Sequence, residues 1–195
     1  MKLILASNSP RRKQILSDLK LNFEVIPSNY DEKLETDVFS YDLIEDLATQ
    51  KALDVVRRVG HDEVVLGADT VVVLHNKILG KPHTKDKAFK MLKSLSGQTH
   101  SVVSSLCGIN TKTNRAVLIS TTSYVRFYKL TDEQINFYIN KYNPMDKAGS
   151  YGIQEMPEGY IEKYEGSLEN IIGLSPEAVM EVLEKLGYDA KLKRP

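Results

Sequence analysis

Two adjacent arginines, Arg11 and Arg12, follow the run Leu3-Ile4-Leu5-Ala6-Ser7-Asn8-Ser9-Pro10. The run reads as a short apolar strand, a polar turn and a helix start, with Ser9 at the N-cap and Pro10 at the first helical position. The positive end of a helix dipole favours Asp or Glu in its first turn, so two cations there oppose the dipole unless an anion joins them. With the free backbone N–H groups of that turn they make a phosphate site. Read by itself the stretch equally fits two solvated arginines, because the dipole effect is only about 0.3–1 kcal/mol per charge.

Four further positions carry groups that could act on such an anion. Asp69 interrupts the apolar run Val64-Val65-Leu66-Gly67-Ala68 and Val71-Val72-Val73. A carboxylate buried there needs a cation, a metal or hydrogen-bond donors; a turn aspartate joining two strands is the plainer reading. Lys51 lies beside Leu47 and Ala48 at helical spacing, on the edge of an apolar stripe, so its ammonium either snorkels to the surface or enters a cleft. Lys81 sits between Gly80, which lets backbone approach a ligand closely, and Pro82. Asp31-Glu32 is an acidic pair that, brought near Asp69, suits a hard cation such as Mg²⁺.

Other chemistries are excluded by what the chain lacks. His61, His75, His83 and His100 show no zinc spacing. There is no G-x-x-x-x-G-K-[ST] phosphate loop and no G-x-S-x-G nucleophile elbow. Lysine plus arginine (26) equals aspartate plus glutamate (26) over 195 residues, so no stable nucleic-acid partner is expected. The single cysteine, Cys107, forbids an intrachain disulfide and reads as a small core residue of a buried strand. No apolar run approaches the ~20 residues that span a bilayer, and Leu3–Ala6 is too short for a signal-peptide core, so no membrane and a cytoplasmic location are expected.

The elements that must position these groups alternate as in an α/β protein. Strands are expected at Lys2–Ala6, Phe23–Pro27, Val64–Ala68, Val71–Leu74 and Ile78-Leu79. Long paired strands follow at Thr99–Ile109 and Ala116–Tyr128, joined by a polar hairpin, and argue for a mixed sheet. Helices are expected at Pro10–Leu19, at Tyr41–Val59 behind Ser40, and from Thr84 to Leu95. Another opens at the capping box Thr131-Asp132-Glu133-Gln134, and the last runs from Ser175-Pro176 to Gly187. A loop covers Asn143–Gly159, and a short strand or turn Tyr160–Lys163.

Taken in order, seven short motifs give the chain a resemblance to the Maf family of nucleoside triphosphate pyrophosphatases over nearly its whole length. They are Ala6-Ser7-Asn8-Ser9-Pro10-Arg11-Arg12, Asp31-Glu32, Lys51-Ala52, Gly67-Ala68-Asp69-Thr70-Val71-Val72, Gly80-Lys81-Pro82, Ser96-Gly97-Gln98-Thr99-His100, and Asp146-Lys147-Ala148-Gly149-Ser150-Tyr151-Gly152-Ile153-Gln154. Glu165-Gly166-Ser167 and Gly173-Leu174 extend the match. The resemblance implies an elongated, two-lobed α/β fold, a mixed sheet flanked by helices with a deep central cleft, similar to inosine triphosphate pyrophosphatases. Residues 1–195 would form one such domain.

The implied activity is hydrolysis of a nucleoside triphosphate between its α- and β-phosphates, with a divalent cation (Mg²⁺ or Mn²⁺) and in a homodimer. Asp69 is the implied catalytic base. Arg11, Thr70 and Gln154 resemble the branch that prefers dTTP and UTP, and glutamine offers both a donor and an acceptor to a uracil or thymine edge. Ser7, Arg11, Arg12, Lys51, Thr70, Lys81 and Gln154 are expected to bind substrate, and Glu32 with Asp69 to hold the metal. Two departures stand out: Ser101–Ser105 lacks the family's Thr-Gly, and Ser175 replaces a proline after Gly173-Leu174. The rival reading is a non-catalytic nucleotide- or nucleic-acid-binding regulator of septum formation, to which carboxylates beside phosphate would bring nothing.

Overall fold

Side-chain caps start the helices where the sequence puts them. Ser9 accepts from the Arg12 N–H at the head of α1 (Pro10–Asp18), and Ser40 from Leu43 at the head of α2 (Tyr41–Val56). Thr84 caps α3 (Lys85–Leu95), and Thr131 and Gln134 form a complete capping box on α4 (Asp132–Tyr142). Ser167 caps the short α5 (Leu168–Ile172), and Ser175 caps α6 (Pro176–Lys185). The computed structural model describes residues 1–31 and 36–190.

Among the described residues seven strands form one mixed sheet: β1 (Lys2–Leu5), β2 (Glu24–Val25), β3 (Glu63–Leu74), β4 (Lys77–Leu79), β5 (Thr99–Asn110), β6 (Arg115–Phe127) and β7 (Ile161–Glu165). The order is β2-β1-β3-β5-β6-β7, with β4 also on β3. β1 runs parallel to β2 and β3, and the remaining pairings are antiparallel. The α/β architecture with a mixed sheet flanked by helices is therefore as expected. No helix among the described residues is long and apolar enough to cross a membrane.

β3 corrects one expectation. Instead of two strands broken at Asp69, a single strand runs through it, with Asp69 paired to Ser105 and Thr70 to Ser104 on β5. Asp69 is neither a turn residue nor a strand end. Its backbone is held by the ladder, and only its polar side chain departs from the apolar surroundings. The expected loop after Asn143 also holds three single 3-10 turns, at Pro144–Asp146, Ala148–Ser150 and Ile153–Glu155.

The period-2 alternation of β3 divides its neighbours. Val64, Leu66 and Ala68 join the cluster formed with α1 and α6, and further along the same face Val72 and Leu74 join the cluster formed with α3 and α4. Val65, Val71 and Val73 face the other way, among the apolar residues of α2. Thr70 falls in the interval between the two clusters on the first face. Asp69 belongs to the α2 face.

The other edge of β3 is divided as well. β1 pairs with Glu63–Leu66 and β4 with Val72–Leu74, which leaves residues 67–71 with no strand partner on that edge among the described residues. A site at this interval has access to backbone as well as side chains.

Candidate active site

A cavity of about 890 Å³ opens at the interval, within the size range of ligand sites. It is lined by Ser7, Arg11, Arg12, Lys51, Asp69, Thr70, Lys81 and Gln154, so residues from five separate stretches of chain meet there. Asp31 lines it too. Glu32, the other expected metal ligand, lies outside the described residues.

Each side chain is positioned by its element. Lys51 is buried in the α2 stripe, and its Nζ lies 2.5 Å from Asp69 Oδ1. Of the two outcomes open in the sequence, the cleft is the one realised. α2 can come this close because of Gly67, two residues before Asp69 and on the same face of β3. A Cβ at Gly67 would stand 2.4 Å from the Ala48 carbonyl oxygen and 2.5 Å from the Ala52 nitrogen. Ala48 and Ala52 flank Lys51 on the helix, so the small residue on the strand sets the reach of the lysine.

Arg12 is buried on the other face. Its Nη1 donates to the Ala68 carbonyl at 2.9 Å, and its Nη2 to Thr70 Oγ1 at 2.9 Å. Nε donates to the Gly173 carbonyl at 3.0 Å, and Nη1 also reaches Ser7 Oγ at 3.3 Å. A planar guanidinium with donors in a fixed fork suits this role, which an ammonium could not fill. Arg12 therefore clamps the open edge of β3 as well as lining the cavity, a role that neither the anion site nor the solvated surface open in the sequence includes. Thr70 is also bonded to Ser104 Oγ at 3.0 Å and the Gly173 carbonyl at 3.0 Å. Ser104 belongs to the Ser101–Ser105 segment that lacks the family's Thr-Gly, so the serine at this position supports Thr70.

Arg11 lines the cavity beside Asp146, its Nη1 3.9 Å from Asp146 Oδ2. Lys81 is exposed at the cavity wall, and its neighbour Gly80 accepts the Gly149 N–H at 3.1 Å through its carbonyl. Gln154 lies in the last of the three 3-10 turns. The Ser7–Ser9 turn lines the cavity too, with Ser7 Oγ accepting the Ser9 N–H at 3.2 Å.

Sequence reasoning missed Lys147 and Tyr151 as members of this wall. A lysine in a glycine-rich loop reads as solvated surface, and only its burial tells otherwise. His100, from the Ser96–His100 motif, stands behind Tyr151, with Nε2 2.7 Å from the Tyr151 hydroxyl. Burial lowers the His100 pKa to about 4 and raises that of Tyr151, so both stay neutral near pH 7.

The donor chemistry fits a hard divalent cation. Among the described residues no three His, Cys, Asp or Glu groups gather into an all-protein cage. Mg²⁺ asks for less: one or two carboxylates, with phosphate oxygens and water completing the shell. Asp69 and Asp31 line one cavity with the hydroxyls of Ser7 and Thr70, all hard oxygen donors.

The family model described as Maf-like protein matches residues 2–186. A protein of Clostridium perfringens (strain SM101 / Type A) named dTTP/UTP pyrophosphatase is 43% identical over 192 residues, covering 97% of this chain and 98% of that one. Proteins of the same name are similar in Alkaliphilus oremlandii (43%, covering 88% and 89%) and Acetivibrio thermocellus (40%, covering 99% of each). With a family model spanning nearly all of it and relatives this similar end to end, the chain belongs to the Maf family.

Proposed function

We propose that this protein is a nucleoside triphosphate pyrophosphatase that hydrolyses dTTP and UTP to the monophosphate and pyrophosphate. The observation that carries the reading is the Lys51–Asp69 pair, buried beside the Arg12 clamp in a cavity that Arg11, Lys81 and Gln154 also line. A carboxylate placed among cations serves a polyphosphate only if it handles a proton or a metal. The names of the relatives agree with the chemistry.

In this reading the triphosphate lies along Arg11, Lys81 and the N–H groups of the Ser7–Ser9 turn, which offset the charge that grows on the leaving pyrophosphate. Water attacks phosphorus, the α–β bridging P–O bond breaks, and Asp69 takes the proton of the attacking water. Lys51 holds the Asp69 carboxylate in place and balances its charge. Arg12 acts mainly on the protein, fixing Ala68 and Thr70 on either side of Asp69. Asp69 and Glu32 would hold Mg²⁺ or Mn²⁺, which supplies charge neutralisation at the phosphates. Gln154 and Thr70 select the pyrimidine. Residues 1–195 work as one domain, its two lobes meeting at the cavity, in a cytoplasmic homodimer with no nucleic-acid or membrane partner.

The test is a panel of nucleoside triphosphates with and without Mg²⁺ or Mn²⁺, scored by pyrophosphate release. UTP and dTTP should turn over fastest and only with metal. Binding of nucleotides without any pyrophosphate release would overturn the assignment.

A further inference from the structure

Lysines are seldom buried unless paired, yet Lys147 is only 8% exposed. It stands between the first and second 3-10 turns of the segment that carries Gln154. Its Nζ lies 3.3 Å from Asp146 Oδ1 and 3.2 Å from Glu155 Oε2. Its stem passes against Gly152, where an added Cβ would stand 3.1 Å from Lys147 Cε. The Gly152 N–H donates to the Tyr138 hydroxyl at 3.0 Å, which holds the segment to α4.

One ammonium thus ties the chain at Asp146 to the chain at Glu155, the residue after Gln154. Glu155 Oε2 is buried and finds no well-aligned hydrogen-bond donor, so the Lys147 charge is what offsets its burial. Asp146 in turn faces Arg11. The charges run in sequence from Arg11 to Asp146, Lys147 and Glu155, from the helix start to the turn that presents Gln154.

We propose that Lys147 is a positioning residue for nucleobase selection: by stapling Asp146 to Glu155 it fixes the turn that presents Gln154 to the cavity. This rests on the reading of Gln154 as a base contact, and it adds a residue that acts on the base through the turn it fixes.

Lys147→Met, Glu155→Gln and the double variant test it, with two readouts. The first is the ratio of kcat/KM for UTP over ATP. The second, independent of catalysis, is amide hydrogen exchange across residues 152–156 in the nucleotide-free protein. Each single variant should lower the ratio about tenfold through the KM for UTP, with kcat held within about threefold, and should speed exchange in the turn. The double variant should be no worse than the worse single, because each change removes the same staple.

Losses that multiply in the double variant overturn the staple, as does unchanged selectivity and exchange in Lys147→Met. A fall in kcat alike for UTP and ATP also overturns it, since it would put Lys147 on the phosphates. If Lys147→Met does not fold, Glu155→Gln carries the same expectations alone. A wild-type protein that cleaves no triphosphate would sink the pyrophosphatase reading, while exchange would still decide the staple.

Discussion

Lys51 and Asp69 face each other across the contact between α2 and β3, 2.5 Å apart, each with a side chain 9% exposed. Removing one partner of such a pair strands the other charge in a poorly solvated place, which costs about 3–5 kcal/mol. Lys51→Met should therefore lower stability by about 3 kcal/mol in urea unfolding. Asp69→Asn keeps the shape and an oxygen acceptor for Lys51, so it should lose less stability than Lys51→Met and still fold, yet lose at least ~100-fold in turnover of UTP. Combining the two should restore stability and leave the protein inactive. An active double variant would remove Asp69 from the chemistry.

Arg12 makes four donated contacts that fix the unpaired edge of β3 around Asp69. Arg12→Lys retains the charge but not the fork. If the residue were only a phosphate cation, lysine would serve nearly as well. The clamp predicts instead a loss of about 2–3 kcal/mol in stability, since hydrogen bonds from a charged group are worth about 1.5–3 kcal/mol each. A fall in kcat at saturating UTP should accompany it. Urea unfolding and kcat together decide, and full stability in Arg12→Lys would assign the residue to substrate alone.

Much of this arrangement could be read from the chain, for local reasons. Helix starts follow capping chemistry that acts within four residues, and Ser9, Ser40, Thr84, Thr131 and Ser175 all cap as their neighbours require. The anomalies at Lys51 and Asp69 were visible as charges on apolar surfaces. What they met was not visible, because Lys51 and Asp69 are joined by the crossing of α2 over β3, which no local pattern encodes. The protein partners of Arg12 were hidden for the same reason: the first turn of a helix suggests an anion, while the fold also supplies carbonyls at Ala68 and Gly173, the latter 161 residues away. Asp69 read as a break because a polar residue in an apolar run resembles a turn, and the ladder with β5 carries the strand straight through.

Gly67, two residues before Asp69, supplies a further prediction. Its missing Cβ is the space into which the α2 backbone settles at Ala48 and Ala52. Gly67→Ala must push the helix off the strand, since the clash is with backbone and no rotamer relieves it. Overpacking of this kind costs about 1–3 kcal/mol. The shift also separates Lys51 from Asp69, so activity should fall even at temperatures where the variant is fully folded. Circular dichroism would establish folding and UTP turnover the loss. A folded variant with undiminished turnover would show that the close approach is not what brings the pair together.

His100 gives the fold a pH dependence of known sign. It is buried on β5, edge-to-face against Phe127 and Tyr151, and burial depresses its pKa from 6.5 to about 4. Between those values the unfolded chain binds a proton that the folded protein refuses, so stability falls as pH falls. The contribution is complete above about pH 6.5, declines through the window down to about 4, and is constant below. The full loss is about 3 kcal/mol at 1.36 kcal/mol per pKa unit, and roughly 2 kcal/mol of it is reached by pH 5. Carboxylates titrate in part of the same range, so the comparison is with His100→Phe, which keeps an aromatic ring in the cluster and cannot protonate. That variant starts lower at pH 7, having lost the bond to the Tyr151 hydroxyl. Its urea midpoint should then change less than the wild type's between pH 7 and pH 5. Parallel slopes in the two proteins would mean that His100 titrates as freely folded as unfolded, and that the ring behind Tyr151 is not sealed from water.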